Sequence, residues 1–199
     1  MKPSVVVLAF AASAFSLPAA AQVNWSALYL GAGVGQSKAK DWCSGAGSGV
    51  SCDDKDTAWK IFGGYQFNRN FAAELGYAEL GNFRASVGPF TDEAKVRAWE
   101  LSAIGAWPLM ERFSVFGRLG VYRANVEESI NVPGASAEHD NNDLTYGLGL
   151  QYDITKNLGI RGEWQRYQKV GGGDVAMGAG PGDKSNLDVL GISALWRFQ

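Results

Sequence analysis

Histidine occurs once and cysteine twice in the 199 residues. A chain so poor in nitrogen and sulfur ligands cannot assemble the four-ligand sets of structural zinc, so no metal centre and no cofactor are expected. Charge of one sign is also missing: the formal net charge is −2 and no basic patch stands out, which excludes a nucleic-acid surface. Long apolar runs are absent beyond the N-terminus, and none approaches the ~18 to 20 residues that a membrane-spanning helix requires. Proline is scarce at 6 residues and no helical period of useful length appears, so the fold is built from strands.

The N-terminus carries Lys2, an apolar stretch from Val5 to Leu17, and then Ala19-Ala20-Ala21, the small-x-small pattern of a secretory cleavage site. Residues 1–21 are expected to be a cleaved signal peptide and residues 22–199 a single domain. Cys43 and Cys52 share one loop of an exported chain, where oxidation to a local disulfide is expected.

Gly is abundant, at 26 residues, and it punctuates segments that alternate with period two. Strands are predicted at about 27–36, 57–67, 71–81, 95–107, 113–124, 143–154, 158–168 and 186–198. The connections alternate in length. Asn68 to Asn70, Pro108 to Arg112 and Thr155 to Asn157 are short, whereas 37–56, 82–94, 125–142 and 169–185 are long. This is the pattern of an all-β, eight-stranded antiparallel up-and-down barrel with two unlike ends.

Each strand has one apolar face and one face of Gly, amide and charge. The apolar set is too bulky for an eight-stranded interior, which is only wide enough for side chains to fill. It must therefore face lipid, and the barrel is a transmembrane one. Aromatics agree: Trp59, Tyr77, Trp99, Tyr146 and Trp164 fall near the long loops, and Tyr65, Phe67, Trp107, Tyr152, Trp196 and Phe198 near the short turns. Two such girdles match the two headgroup levels of a bilayer.

The stretch GGYQFNRNFAAELGYAELG, with YLGAGVGQS in the first strand and the closing LWRF, resembles the eight-stranded transmembrane domain of OmpA-like outer membrane proteins of Gram-negative bacteria. The resemblance covers residues 25 to 198 and the barrel only, not the peptidoglycan-binding domain that many members carry. It implies secretion through the periplasm into the outer membrane, insertion by the barrel assembly machinery, and outer membrane lipids including lipopolysaccharide as surroundings. It also implies a central lumen ion pair between Glu74 and Arg161, with Arg118 and Glu163 at further charged lumen positions. A second family pair is missing, since Gln151 and Ile104 occupy its places, so the Glu74–Arg161 pair is expected to have lost its alternative partner.

Lumen parity by itself places Lys60, Arg118 and Arg161 beside Glu74, Glu100 and Glu163. Charges in so narrow a space need partners, so a balanced polar plug is expected. The function expected is structural, a contribution to membrane integrity with surface loops available for an external ligand that the sequence does not name. A small, low-conductance gated pore is the alternative, and a lipid-modifying enzyme a further one. Ser136, Glu138 and His139 fall within one loop, which disfavours a convergent triad. The acidic run 138–143 lacks calcium-loop spacing. Gly31-x-Gly33-x-Gly35 has no helix after it and so is no phosphate loop. Gly171 to Gly173 read as flexible loop, and Arg84, Lys95, Arg97 and Arg123 lie where lipid headgroup phosphates would reach them.

Overall fold

Alternation every second residue gives each strand two chemically different faces, and a sheet made of such strands is stable in a bilayer only when it closes on itself. In a computed structural model it does so. The structure describes residues 27–40, 50–87, 90–130, 136–170 and 185–198. Its strands are β1 (Leu28–Ala39), β2 (Val50–Asp53), β3 (Lys55–Gln66), β4 (Phe71–Val87), β5 (Phe90–Met110), β6 (Phe113–Ile130), β7 (Ser136–Asp153), β8 (Leu158–Val170) and β9 (Ser185–Arg197). All but β2 form the barrel: each pairs antiparallel with its neighbour in the chain, and β9 pairs with β1 to complete the ring. The short β2 lies on β4 beyond the ring, Val50 opposite Val87.

Short turns are locked by side chains. Asn68 Oδ1 accepts the N–H groups of Asn70 and Phe71 at 2.8 and 2.9 Å. Thr155 Oγ1 accepts those of Asn157 and Leu158 at 3.3 and 2.9 Å. Both are side-chain mimics of a backbone turn.

The other end departs from expectation. Residues 82–94 and 125–142 are for the most part not loops: β4 and β5 pair out to Val87 opposite Phe90, and β6 and β7 out to Ser129 opposite Ser136. Two causes hid these extensions. The alternation of apolar and polar residues fades there, and a β-bulge between Glu79 and Gly81 reverses which residues of β4 point inward. Gly81 takes φ 110°, a conformation that side-chain-bearing residues rarely adopt. Because of the bulge both Leu80 and Phe83 are buried inside. The sites placed by sequence in the 125–142 connection are likewise strand: Ser136, Glu138, His139 and the acidic run all belong to β7. Cys43, the predicted signal peptide, Gly171 to Gly173 and the side chains of Cys52, Arg84, Ser136, Glu138 and His139 lie outside the described residues.

The two faces divide as the period-two reading requires. Leu30, Leu75, Leu101, Leu119, Leu148 and Ile192 are exposed on the outside, while Phe62, Ile104, Phe116 and Leu195 are buried within. Glycine gives the interior aromatics their room. A Cβ on Gly31 would lie 2.3 Å from the Phe62 ring, and one on Gly64 would lie 2.1 Å from the Tyr29 ring.

Candidate functional site in the barrel interior

The middle of the lumen is organised by Arg118, which projects inward from β6. Its Nη2 donates to Glu74 Oε2 at 2.5 Å, its Nε to Glu163 Oε1 at 2.6 Å and its Nη1 to Glu100 Oε1 at 3.3 Å. The side chain is wholly buried. One guanidinium thus bridges carboxylates from three strands, β4, β5 and β8, which the planar fork of Arg allows and a Lys would not.

The remaining cations complete the set. Arg161 pairs with Glu74 Oε1, and Lys60 pairs with Glu163 Oε2 and donates to Gln165 Oε1 at 3.2 Å. All six charged residues singled out by lumen parity therefore lie in one connected network. The expectation that Glu74–Arg161 lacks an alternative partner is corrected: Arg118 also holds Glu74, and the vacant family positions do not decide the matter.

Further side chains that were not singled out as site residues join the network. Tyr29 donates to Glu74 Oε1 at 2.7 Å, and Tyr167 donates to Glu100 Oε2 at 2.8 Å. Gln165 donates to Glu100 Oε2 at 2.7 Å and to Thr145 Oγ1 at 2.9 Å. Asp153 accepts from Gln151 at 3.0 Å and from Arg197 at 2.9 Å, while Gln151 accepts from Arg161 Nε at 2.8 Å. A strict odd-residue reading of β1 and β8 would have turned Tyr29 and Tyr167 inward.

Apolar layers close the network on both sides. Toward the long-loop end, Leu80, Phe83, Val96, Tyr122, Val126 and Leu187 pack together with smaller residues. Toward the short-turn end, Tyr29, Phe62 and Leu195 form a second cluster. Arg161 stacks beside the second layer, its Cζ 5.4, 5.5 and 5.0 Å from the ring centres of Tyr29, Phe62 and Phe116. These contacts hold a cation against apolar rings while its N–H groups point to oxygens.

Outside, the aromatic residues lie on the apolar face. Tyr77 sits between Trp59 and Trp99, ring centres 5.8 and 5.1 Å away, and Tyr146 lies 6.0 Å from Trp164. At the other end Tyr65 and Phe67 are 5.3 Å apart, and Trp107, Tyr152, Trp196 and Phe198 are exposed. Beyond the upper aromatics, Lys95 meets Glu79 at 3.1 Å and Arg123 meets Asp140 at 2.7 Å. The Asp140 carboxyl is held below the usual carboxylate range, first by the hydrogen bond from Arg123 and next by one from Asn125.

A closed ring of antiparallel strands with its charges inside and its aliphatic and aromatic side chains outside is a transmembrane β-barrel. The chain belongs to the OmpA-like transmembrane domain family, whose model matches residues 23–199. It is a protein of the bacterial outer membrane. Outer membrane protein A of Salmonella typhi is 27% identical over 203 residues, and that of Serratia marcescens 29% over 209; each match takes in 100% of this chain and 56% of the relative. The chain thus spans about half the length of these curated relatives. Among solved structures, Neisserial surface protein A superposes with a TM-score of 0.58 at 16% identity, covering 86% of this chain and 97% of that one. Ail, the attachment invasion locus protein of Yersinia pestis, superposes with a TM-score of 0.55 at 17% identity, covering 86% and 97%. At such identities these likenesses speak to the fold alone.

Proposed function

We propose that the protein is a non-catalytic structural element of the outer membrane: a filled barrel that maintains envelope integrity, with its long-loop end at the cell exterior and available to an external ligand. Its surroundings are outer membrane lipids including lipopolysaccharide, and its insertion depends on the barrel assembly machinery. The observation that carries this reading is the fully buried Arg118, tied to three carboxylates and enclosed between two apolar layers. Such an interior stabilises a cylinder and leaves little room for a solute.

Deleting the gene and measuring uptake of a large hydrophobic dye tests the reading. Raised uptake, reversed by the wild-type chain, is expected; unchanged uptake in a strain that makes the protein abundantly would contradict it. A gated pore is the second reading, favoured by one observation: Glu74 is shared by Arg118 and Arg161, so a partner exchange is sterically available.

A further inference from the structure

Below the charge network, at the short-turn end, the lumen opens into a cavity of about 510 Å³, within the ~300–1,000 Å³ usual for ligand clefts. All eight strands of the ring contribute to its lining, so it is the mouth of the barrel itself. Arg161 and Tyr29 line its inner end, whereas their partner Glu74 and the hub Arg118 lie outside the lining. The cavity stops at the plug.

Its two sides differ in chemistry. β4 and β5 supply Ala72, Ile104 and Ala106 on one side, and across the ring β7, β8 and β9 supply Gln151, Asp153, Arg161 and Arg197 on the other. The polar side is one hydrogen-bonded chain. Arg197 Nη2 donates to Asp153 Oδ1 at 2.9 Å, Gln151 Nε2 donates to the same oxygen at 3.0 Å, and Arg161 Nε donates to Gln151 Oε1 at 2.8 Å. Arg161 Nη1 carries the chain on to Glu74. A guanidinium has five N–H donors, and these bonds engage two on Arg161 and one on Arg197. Both side chains are largely buried, 6% and 17% exposed, so their forks are held in place before any ligand arrives.

Charge around the mouth is uneven. Arg161 belongs to the balanced interior network, and the other charged lining residues are Arg69, Lys156 and Arg197 against Glu111 and Asp153. The cavity is therefore positive by one.

We infer that this mouth binds a small organic anion, a carboxylate on an apolar body, with the carboxylate on Arg197 and Arg161 and the body against Ala72, Ile104 and Ala106. A planar two-oxygen group matches the planar guanidinium fork, and the apolar side gives its body something to bury against. A cation would meet the excess positive charge, a neutral solute would leave the forks without a charged acceptor, and an inorganic anion would make no use of the apolar side. The site stands whichever end of the barrel faces the periplasm.

Nuclear magnetic resonance of the full chain refolded in lipid nanodiscs tests the site, with benzoate as the probe and benzamide and inorganic phosphate beside it. Benzoate is expected to shift the amides of Gln151, Asp153 and Arg197 saturably, benzamide to leave them in place, and phosphate to bind more weakly than benzoate. Affinity for benzoate is expected to fall about tenfold in Arg197→Gln, near 1.4 kcal/mol. It is expected to rise about threefold in Asp153→Asn, which removes a competing carboxylate, and to stay unchanged in Lys95→Gln at the opposite end. The opposite signs matter, because a purely structural Arg197–Asp153 pair would make both changes weaken binding alike. Heat-modifiable gel mobility reports folding. Should Arg197→Gln fail to fold, Asp153→Asn and Arg69→Gln, a change at an exposed turn residue expected to weaken binding about threefold, carry the test. No saturable shift with benzoate, an equal response to benzamide, phosphate bound as tightly as benzoate, or weaker binding in Asp153→Asn would overturn the proposal.

Discussion

At the residue scale, the same amino acid has opposite consequences on the two faces of the wall. Gly120 faces the lumen, where a Cβ would stand 2.4 Å from the Leu101 backbone oxygen and 2.4 Å from Ser102 Oγ; Gly162 faces lipid with open space around it. Gly120→Ala is therefore expected to destabilise the barrel by about 1–3 kcal/mol, because a backbone oxygen of a paired strand cannot retreat. Gly162→Ala is expected to change stability by no more than about 0.5 kcal/mol. Urea unfolding of the refolded barrel in lipid vesicles measures both, and equal effects would contradict the assignment of faces. Parity and bulk made this division legible from sequence. Pairing was not legible. That Arg118, rather than Arg161, becomes the hub depends on the three-dimensional approach of β4, β5 and β8 around one guanidinium, which no spacing in the chain encodes.

At the element scale, the β6–β7 hairpin is held beyond the aromatic level by cross-strand pairs such as Arg123 with Asp140. The carboxyl of Asp140 titrates below its ordinary value in the folded hairpin. A group with a depressed folded pKa stabilises above its unfolded value, about 3.9 for Asp, and loses that contribution as pH falls through the lower folded value. Protection of the hairpin-end amides, taken relative to the intrinsic exchange rate at each pH, is thus expected to be constant from pH 7 to about 5 and to fall below about 4. Arg123→Gln should remove most of that acid step, and loosening already near pH 6 would argue against the pair. Because both groups are exposed, the effect is local and the barrel below is unaffected. All eight barrel strands were legible from alternation, as were the short turns at Asn68 and Thr155. The hairpin extensions were not, since outside the bilayer a ladder needs only extended backbone and its side chains need no longer alternate. The reversal at Gly81 then concealed Phe83 as an inward residue.

At the scale of the whole molecule, orientation of the sheet follows from volume. Eight strands enclose too little space for the Trp, Tyr and Leu set, so that set faces lipid, and the small and charged set closes the interior. The charges then balance within the wall, three cations against three anions, through the pairs of Arg118, Arg161 and Lys60 with Glu74, Glu100 and Glu163. Removal of one member leaves buried charge without a partner, which costs about 3–5 kcal/mol.

The proposed function requires the lumen to be a packed core and not a path. Single-channel recording of the refolded barrel in a planar bilayer, with Arg118→Ala beside it, tests this most directly. Silence is expected from the wild type, shown to be folded by its gel mobility, and lowered stability with at most brief openings from the variant. Reproducible small openings in the wild type that change in amplitude or frequency on Arg118→Ala would contradict it and make the charge network a gate.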